Sequence, residues 1–216
     1  MAAGWRRVLA TLVPAVVPVV MKAVFGTAAR RLGADRGYQA GFALYWATCW
    51  VLADVIVGPR RLLDLWRPPE QPVLPTPRPV AAVLLVAPPL GALTTEWLPN
   101  VRPADPAAVA VAAGIGVTNA LAEETLWRGV PAVTFPGDRL RGWLWPAVGF
   151  TAWHLVPLST RQTTARRRAS VLGGAAAIGL GYGWIAQRTR SLVAVAPAHA
   201  LTDSCGVRPA RAIWLT

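Results

Sequence analysis

The sequence predicts an all-α integral membrane protein, a polytopic bundle of about seven transmembrane helices. Of its 216 residues, 54% are hydrophobic, and the mean hydropathy is +0.41. Several apolar runs follow one another, separated by joints rich in arginine and proline. Because about 20 apolar residues cross a bilayer as a helix, these runs indicate a multi-pass membrane protein without a soluble domain or an internal repeat.

The N-terminal half is predicted to hold three spans, at residues 8–25, 38–57 and 80–98. The first is either a cleaved signal peptide or an uncleaved first helix. We favour the helix, because the run is long, is interrupted by Lys22 and precedes further spans. Residues 58–79, rich in arginine and proline, predict a loop outside the membrane, and Pro88-Pro89 predicts a kink in the third span.

A helix over residues 106–128 follows from its end signals. Asp105 is a good N-cap, and Pro106 suits the first helical position. Gly129 suits the position just after a helix, and Pro131 blocks continuation. At 1.5 Å per residue the helix would be about 34 Å long, enough to cross a bilayer.

This helix carries two carboxylates and a guanidinium near its end. Glu124 and Arg128 are four residues apart, so they can pair on one face, whereas Glu123 points about 100° away and is left free. Charged groups in a membrane segment are costly and mark functional sites. The plainer interpretation, an ion pair that only fixes helix packing, stays open on this segment alone.

Three more apolar segments complete the seven, at residues 142–158, 170–187 and 192–206. The first holds His154, and the second is rich in glycine, which lets helix backbones approach closely. The joint between them, residues 159–169, contains three consecutive arginines and predicts a solvated loop. The last holds His199 and Asp203, four apart, so the carboxylate can orient the imidazole or share a metal with it.

The formal net charge of +12 favours anionic lipid headgroups as partners over nucleic acid, because the arginines lie in the joints and form no basic helix. Cys49 and Cys205 have no metal-type spacing and are expected to be small core residues. Basic residues are shared equally between alternate joints, so the positive-inside rule gives no orientation. With 21 arginines to one lysine, we expect a bacterial plasma membrane protein.

Three short motifs occur in order on separate apolar segments. Together they resemble the signature of the CPBP (CAAX protease and bacteriocin-processing, Abi) family, which includes the type II CAAX prenyl endopeptidases. The motifs are Glu123-Glu124-x-x-x-Arg128, Phe150-x-x-x-His154 and His199-x-x-x-Asp203. We therefore divide the chain into N-terminal membrane helices with their loop (1–106), a CPBP-like catalytic core (107–207) and a C-terminal tail (208–216).

The resemblance implies an intramembrane endopeptidase that uses a glutamate-activated water. Glu123 would be the general base, and His154 would help hold and activate the water. His199 with Asp203 would stabilise the oxyanion, while Glu124 and Arg128 would brace the site. The prenyl endopeptidases of the family carry Asn where this chain has Asp203, and an ionised carboxylate cannot donate to an oxyanion. Asp203 would therefore have to be protonated, or act indirectly by orienting His199.

Other possibilities stay open at this point. The residues Glu123, His154, His199 and Asp203 could instead hold a divalent, zinc-like metal; we favour the reading without a cofactor. The substrate would be a peptide, such as a bacteriocin-type leader, or a segment of a membrane protein. The competing class is a non-catalytic scaffold or immunity factor, or a proton-coupled carrier, on the same fold.

Overall fold

A computed structural model describes residues 2–69 and 72–215 of the chain. Glu70 and Gln71, in the predicted loop, and Thr216, in the predicted C-terminal tail, lie outside this part. Within it the chain forms helices and no strand. The helices are α1 (Ala2–Leu32), α2 (Ala34–Val57), α3 (Pro59–Leu65), α4 (Arg78–Ala92), α5 (Leu98–Val101), α6 (Pro106–Glu124), α7 (Val130–Thr134), α8 (Trp145–Trp153), α9 (Leu155–Ser159), α10 (Ala165–Thr189), α11 (Val195–Ser204) and α12 (Val207–Trp214).

Five helical stretches of the described chain are long and apolar enough to cross a membrane. They are Gly4–Leu32, Ala34–Val57, Arg78–Val101, Pro106–Thr134 and Ala165–Thr189. The predicted all-α membrane bundle is therefore confirmed. The other two predicted segments are shorter than expected, because a turn at His154 separates α8 from α9, and α11 is only 10 residues long.

The predicted end of the acidic helix is wrong. A π-helical turn, Thr125–Gly129, joins α6 directly to α7, so the helix continues to Thr134. Gly129 has right-handed backbone angles, and its missing Cβ is needed for another reason: a Cβ there would lie 2.8 Å from the Leu65 side chain. Pro131 stands in the first turn of α7, just after the widened turn, where a missing N–H is tolerated.

The three consecutive arginines at 166–168 were predicted to lie in a loop. In the structure they lie in the first turn of α10. The helix starts this early because the hydroxyl of Thr164 accepts a hydrogen bond from the backbone N–H of Arg167, at 3.2 Å. Basic side chains are unfavourable beside a helix N-terminus, which is why the sequence indicated a loop. Arg167 is compensated by an ion pair with Glu96, at 3.1 Å.

Glycines set the closest helix contacts. A Cβ on Gly116 of α6 would lie 2.4 Å from the backbone nitrogen of Ser204 in α11. A Cβ on Gly179 of α10 would lie 3.3 Å from Ala147 of α8, which confirms the close packing predicted for the glycine-rich segment. These contacts hold α6 against α11 and α10 against α8. Both cysteines are buried and free, as expected.

Candidate active site

The two acidic residues of α6 and the histidine of α11 meet inside the bundle. Glu123 and Glu124 end α6, Arg128 follows in the π-helical turn, and His199 lies in the middle of α11. All four side chains are buried. The close approach of α6 and α11 at Gly116 is what allows groups 75 residues apart in sequence to touch.

Glu124 contacts both Arg128 and His199 through one oxygen. Its Oε1 lies 3.0 Å from Nη1 of Arg128 and 2.7 Å from Nδ1 of His199. A carboxylate only accepts, so Nδ1 of His199 donates the hydrogen bond. The guanidinium of Arg128 also lies over the ring of Phe150, 3.9 Å from its centroid. Thus Glu124 orients the imidazole, a task that the sequence assigned to Asp203.

Glu123 is not free, in contrast to the expectation from its place on the helix. Its Oε1 accepts hydrogen bonds from the hydroxyl of Tyr45, at 2.9 Å, and from the indole N–H of Trp153, at 2.8 Å. The Tyr45 hydroxyl in turn accepts from the indole of Trp127, at 2.8 Å. Among the described residues Oε2 has no hydrogen-bond partner, and it lies 3.6 Å from Nε2 of His199.

Asp203 faces the same nitrogen of His199, with Oδ2 at 3.5 Å from Nε2. That oxygen accepts a hydrogen bond from the side-chain amide of Asn119, at 2.8 Å. The amide oxygen of Asn119 accepts from the indole N–H of Trp46, also at 2.8 Å. Asp203 is therefore held by a chain of groups from α2 and α6.

His154 lies apart from this cluster. Its Nδ1 donates to the carbonyl oxygen of Phe150, at 2.8 Å, which leaves Nε2 available. The Phe150 ring packs against both histidines, with centroids 4.7 Å from His154 and 5.9 Å from His199. His154 lines a cavity of about 850 Å³, whose wall also includes Arg161 and Arg208.

A smaller cavity of about 180 Å³ reaches Asp203 and Asn119. It shares four lining residues with the larger one, Tyr38, Phe42, Pro209 and Ile213. The last two belong to α12, so the C-terminal helix forms part of the wall of both cavities. The two cavities adjoin each other and reach His154, Asn119 and Asp203.

A protein family model matches the part of the chain that carries the three motifs. The model of the type II CAAX prenyl endopeptidase Rce1-like family matches residues 105–205. Residues 105–205 belong to the CPBP family. The match covers just under half of the chain and contains all three motifs, so the resemblance drawn from the sequence is confirmed. At the level of this family, the match supports a CAAX-type intramembrane protease. A search of the curated proteins found no match, and neither did a search of the solved structures.

Several residues around the CPBP motifs were missed by the sequence analysis: Tyr45, Trp46, Asn119, Trp127 and Trp153. Tyr45 and Trp46 lie on α2, outside the matched range, and nothing in their local sequence indicated a contact with α6. The position of Asn119, one helical turn before Glu123, was a usable signal, because residues four apart share a helix face.

Three side chains of the cluster lie close enough together to bind one metal ion. Within the described residues, one ligand atom each from Glu123, His199 and Asp203 lies within 4.8 Å of the others. One imidazole nitrogen and two carboxylates are a donor set that zinc accepts, and Glu124 supplies the second-sphere carboxylate that such histidines usually have. These three residues therefore fit a small divalent cation; His154, predicted as a fourth ligand, is not in the group.

Proposed function

We propose that the protein is an intramembrane endopeptidase in which Glu123 activates a water molecule for attack on a peptide bond. The observation that supports this most is the state of the two Glu123 oxygens. Oε1 is fixed by two donors, whereas Oε2 has none among the described residues and faces Nε2 of His199. Oε2 of Glu124 also lacks a partner, but the other oxygen of that carboxylate already contacts Arg128 and His199.

The proposed reaction is a hydrolysis. The Glu123 carboxylate takes a proton from water as the water oxygen bonds to the carbonyl carbon, and the carbonyl oxygen becomes an oxyanion. The carbon–nitrogen bond then breaks while the proton passes from Glu123 to the leaving amine, which restores the carboxylate. His199 and Asp203 lie beside the attacked group. From its place in the family motif, His154 would help hold the water through Nε2.

A second possibility rests on the same residues. Glu123, His199 and Asp203 would hold a zinc-like cation, which supplies a Lewis acid and an activated water when it is bound. The distances of 3.5 and 3.6 Å from Nε2 to the two carboxylate oxygens are close to the separation of about 3.3 Å between ligands of tetrahedral zinc. This fit supports the cation as an alternative to unassisted water.

The setting that we propose is a bacterial plasma membrane with anionic headgroups, and a peptide or membrane-protein substrate. Support for the headgroups comes from a separate cavity of about 550 Å³, which is lined by none of the residues of the cluster. It is lined by Trp5, Arg6, Arg7 and Arg61, which combine aromatic and guanidinium groups as headgroup contacts do.

The proposal is tested by cleavage of a quenched-fluorescence peptide library by the purified, detergent-solubilised protein. Glu123→Gln keeps the shape of the side chain but loses the base, so turnover should fall by about 10²- to 10⁴-fold. Asp64→Asn, which changes an exposed carboxylate on α3 that lines neither of the two cavities beside the cluster, is the matched control and should keep full activity.

A chelator separates the two chemical readings. Activity that persists in the chelator supports unassisted water, whereas activity that is lost and returns with zinc supports the cation. If the wild-type protein cleaves no member of the library, or if Glu123→Gln is as active as wild type, the peptidase proposal is wrong. A scaffold, immunity factor or carrier would then be the better account.

A further inference from the structure

We propose that Asn119 is a further catalytic residue, whose side-chain amide donates a hydrogen bond to the oxyanion. This inference rests on the proposed peptidase function. It begins with Asp203, whose carboxylate lies beside Nε2 of His199, at 3.5 Å. Oδ2 of Asp203 accepts a hydrogen bond from Asn119 and so acts as an acceptor in this site. A neutral donor for the oxyanion, beside His199, would therefore come from another residue.

The orientation of the Asn119 amide is fixed from two sides. The indole N–H of Trp46 can only donate, so the group that it meets, at 2.8 Å, is the amide oxygen Oδ1. Asp203 requires a donor, and the amide nitrogen Nδ2 meets it at 2.8 Å. A flipped amide would place oxygen against the carboxylate and nitrogen against an N–H. The NH₂ group therefore points towards the cluster.

One of the two N–H groups of the Asn119 side chain has no acceptor among the described residues. An amide nitrogen carries two N–H groups, and in residues 2–69 and 72–215 Nδ2 of Asn119 donates to Asp203 alone. The side chain is only half-buried, and it lines the cavity of about 180 Å³ together with Asp203. A substrate carbonyl in that cavity would meet a preorganised, neutral donor, which is the chemistry of an oxyanion hole.

The position relative to the base is also suitable. Asn119 and Glu123 are one turn apart on α6, so their side chains emerge from the same helix face, about 5–6 Å apart at Cβ. The base and the oxyanion donor would thus be held by one rigid element.

The decisive variant is Asn119→Ala, measured with a peptide that the wild-type protein cleaves. We expect kcat to fall by about 10²- to 10³-fold with little change in KM, because the lost hydrogen bond forms only in the transition state. A phosphinic peptide of the same sequence, which imitates the tetrahedral intermediate, should bind more weakly by a similar factor. An uncleaved peptide analogue should bind as before.

Two further variants test whether the loss of kcat comes only from disturbed packing around Asn119. Thr118→Ala changes the exposed neighbour, whose hydroxyl bonds only to its own helix, and should leave kcat unchanged. Adding Asp203→Asn to Asn119→Ala returns an amide to the site and should restore at least tenfold of the lost kcat. Circular dichroism and the thermal midpoint show whether each variant folds.

The inference is overturned if Asn119→Ala keeps kcat within about threefold of wild type while Glu123→Gln is inactive. It is also overturned if Asn119→Ala weakens the phosphinic peptide and the uncleaved analogue equally, since that pattern describes a packing residue. Activity of Glu123→Gln equal to wild type would instead refute the peptidase proposal itself, so the two failures can be told apart.

Discussion

The contact between α6 and α11 at Gly116 allows a quantitative prediction. A Cβ at this position would lie 2.4 Å from the nitrogen and 2.7 Å from the Cα of Ser204. Both are backbone atoms and cannot swing aside. To reach the ordinary contact distance of 3.4 Å, the helices must separate by about 1 Å. The substitution Gly116→Ala therefore changes the spacing of the two helices that build the site.

The expected effect on stability is the cost of overpacking, about 1–3 kcal/mol. Alanine also favours the helix over glycine by about 1 kcal/mol, which masks part of that cost. Gly114→Ala is the matched control: it lies in the same helix, gains the same propensity, and its Cβ would meet nothing within 4 Å. The difference between the two variants isolates the helix contact and corresponds to roughly 2–12 °C in the thermal midpoint.

The same separation of α6 and α11 should also lower the catalytic rate. A shift of about 1 Å would stretch the bond between Asn119 and Asp203 from 2.8 Å to beyond hydrogen-bond range. We expect Gly116→Ala to lower kcat clearly and Gly114→Ala to leave it unchanged, measured by peptide cleavage and by thermal unfolding in detergent. Equal midpoints and equal kcat for the two variants would refute the helix spacing described above.

Two further substitutions test buried polar contacts. Arg128→Met strips a fully buried carboxylate of its cation and should lower the free energy of unfolding by about 3–5 kcal/mol; Arg67→Met, in an exposed pair, should cost less than about 1 kcal/mol, and similar midpoint shifts would count against this. Tyr45→Phe removes a hydrogen bond to Glu123 and should lower both kcat and the midpoint, at a cost of about 1–3 kcal/mol. Thr48→Val removes a hydroxyl of the same helix, α2, that bonds to the carbonyl oxygen of Leu44 in that helix. It should change neither quantity, and an equal loss would contradict the role of Tyr45.

Local spacing in the sequence was sufficient for some of these features. The pairing of Glu124 with Arg128 follows from residues four apart on one helix, which are neighbours whatever surrounds them. The apolar runs indicated the membrane helices because burial in lipid is a property of each segment by itself. The family motifs identified the residues of the cluster, since they occur in a fixed order along the chain.

The tertiary structure alone decided which groups complete the site. His199 has a carboxylate four residues away on its own helix, yet its Nδ1 turns to Glu124 of α6, at 2.7 Å, and leaves Nε2 at 3.5 Å from Asp203. An imidazole can rotate between several neighbours, so local spacing cannot choose among them. The partners of Glu123 come from other helices, Tyr45 from α2 and Trp153 from α8.

The face of α6 that packs on α11 shows why the sequence could not predict which side chains meet. Residues 106–122 of this helix are mostly alanine, glycine and valine on every side, so no apolar stripe marks one face for burial. The buried positions repeat every fourth residue, at Ala108, Ala112, Gly116 and Ala120. Their neighbours are almost as small, and only the fit of whole helices selects this row. The sequence by itself determined which helices exist and which charges they carry, while the packing of small residues decided how those helices turn and therefore which side chains meet.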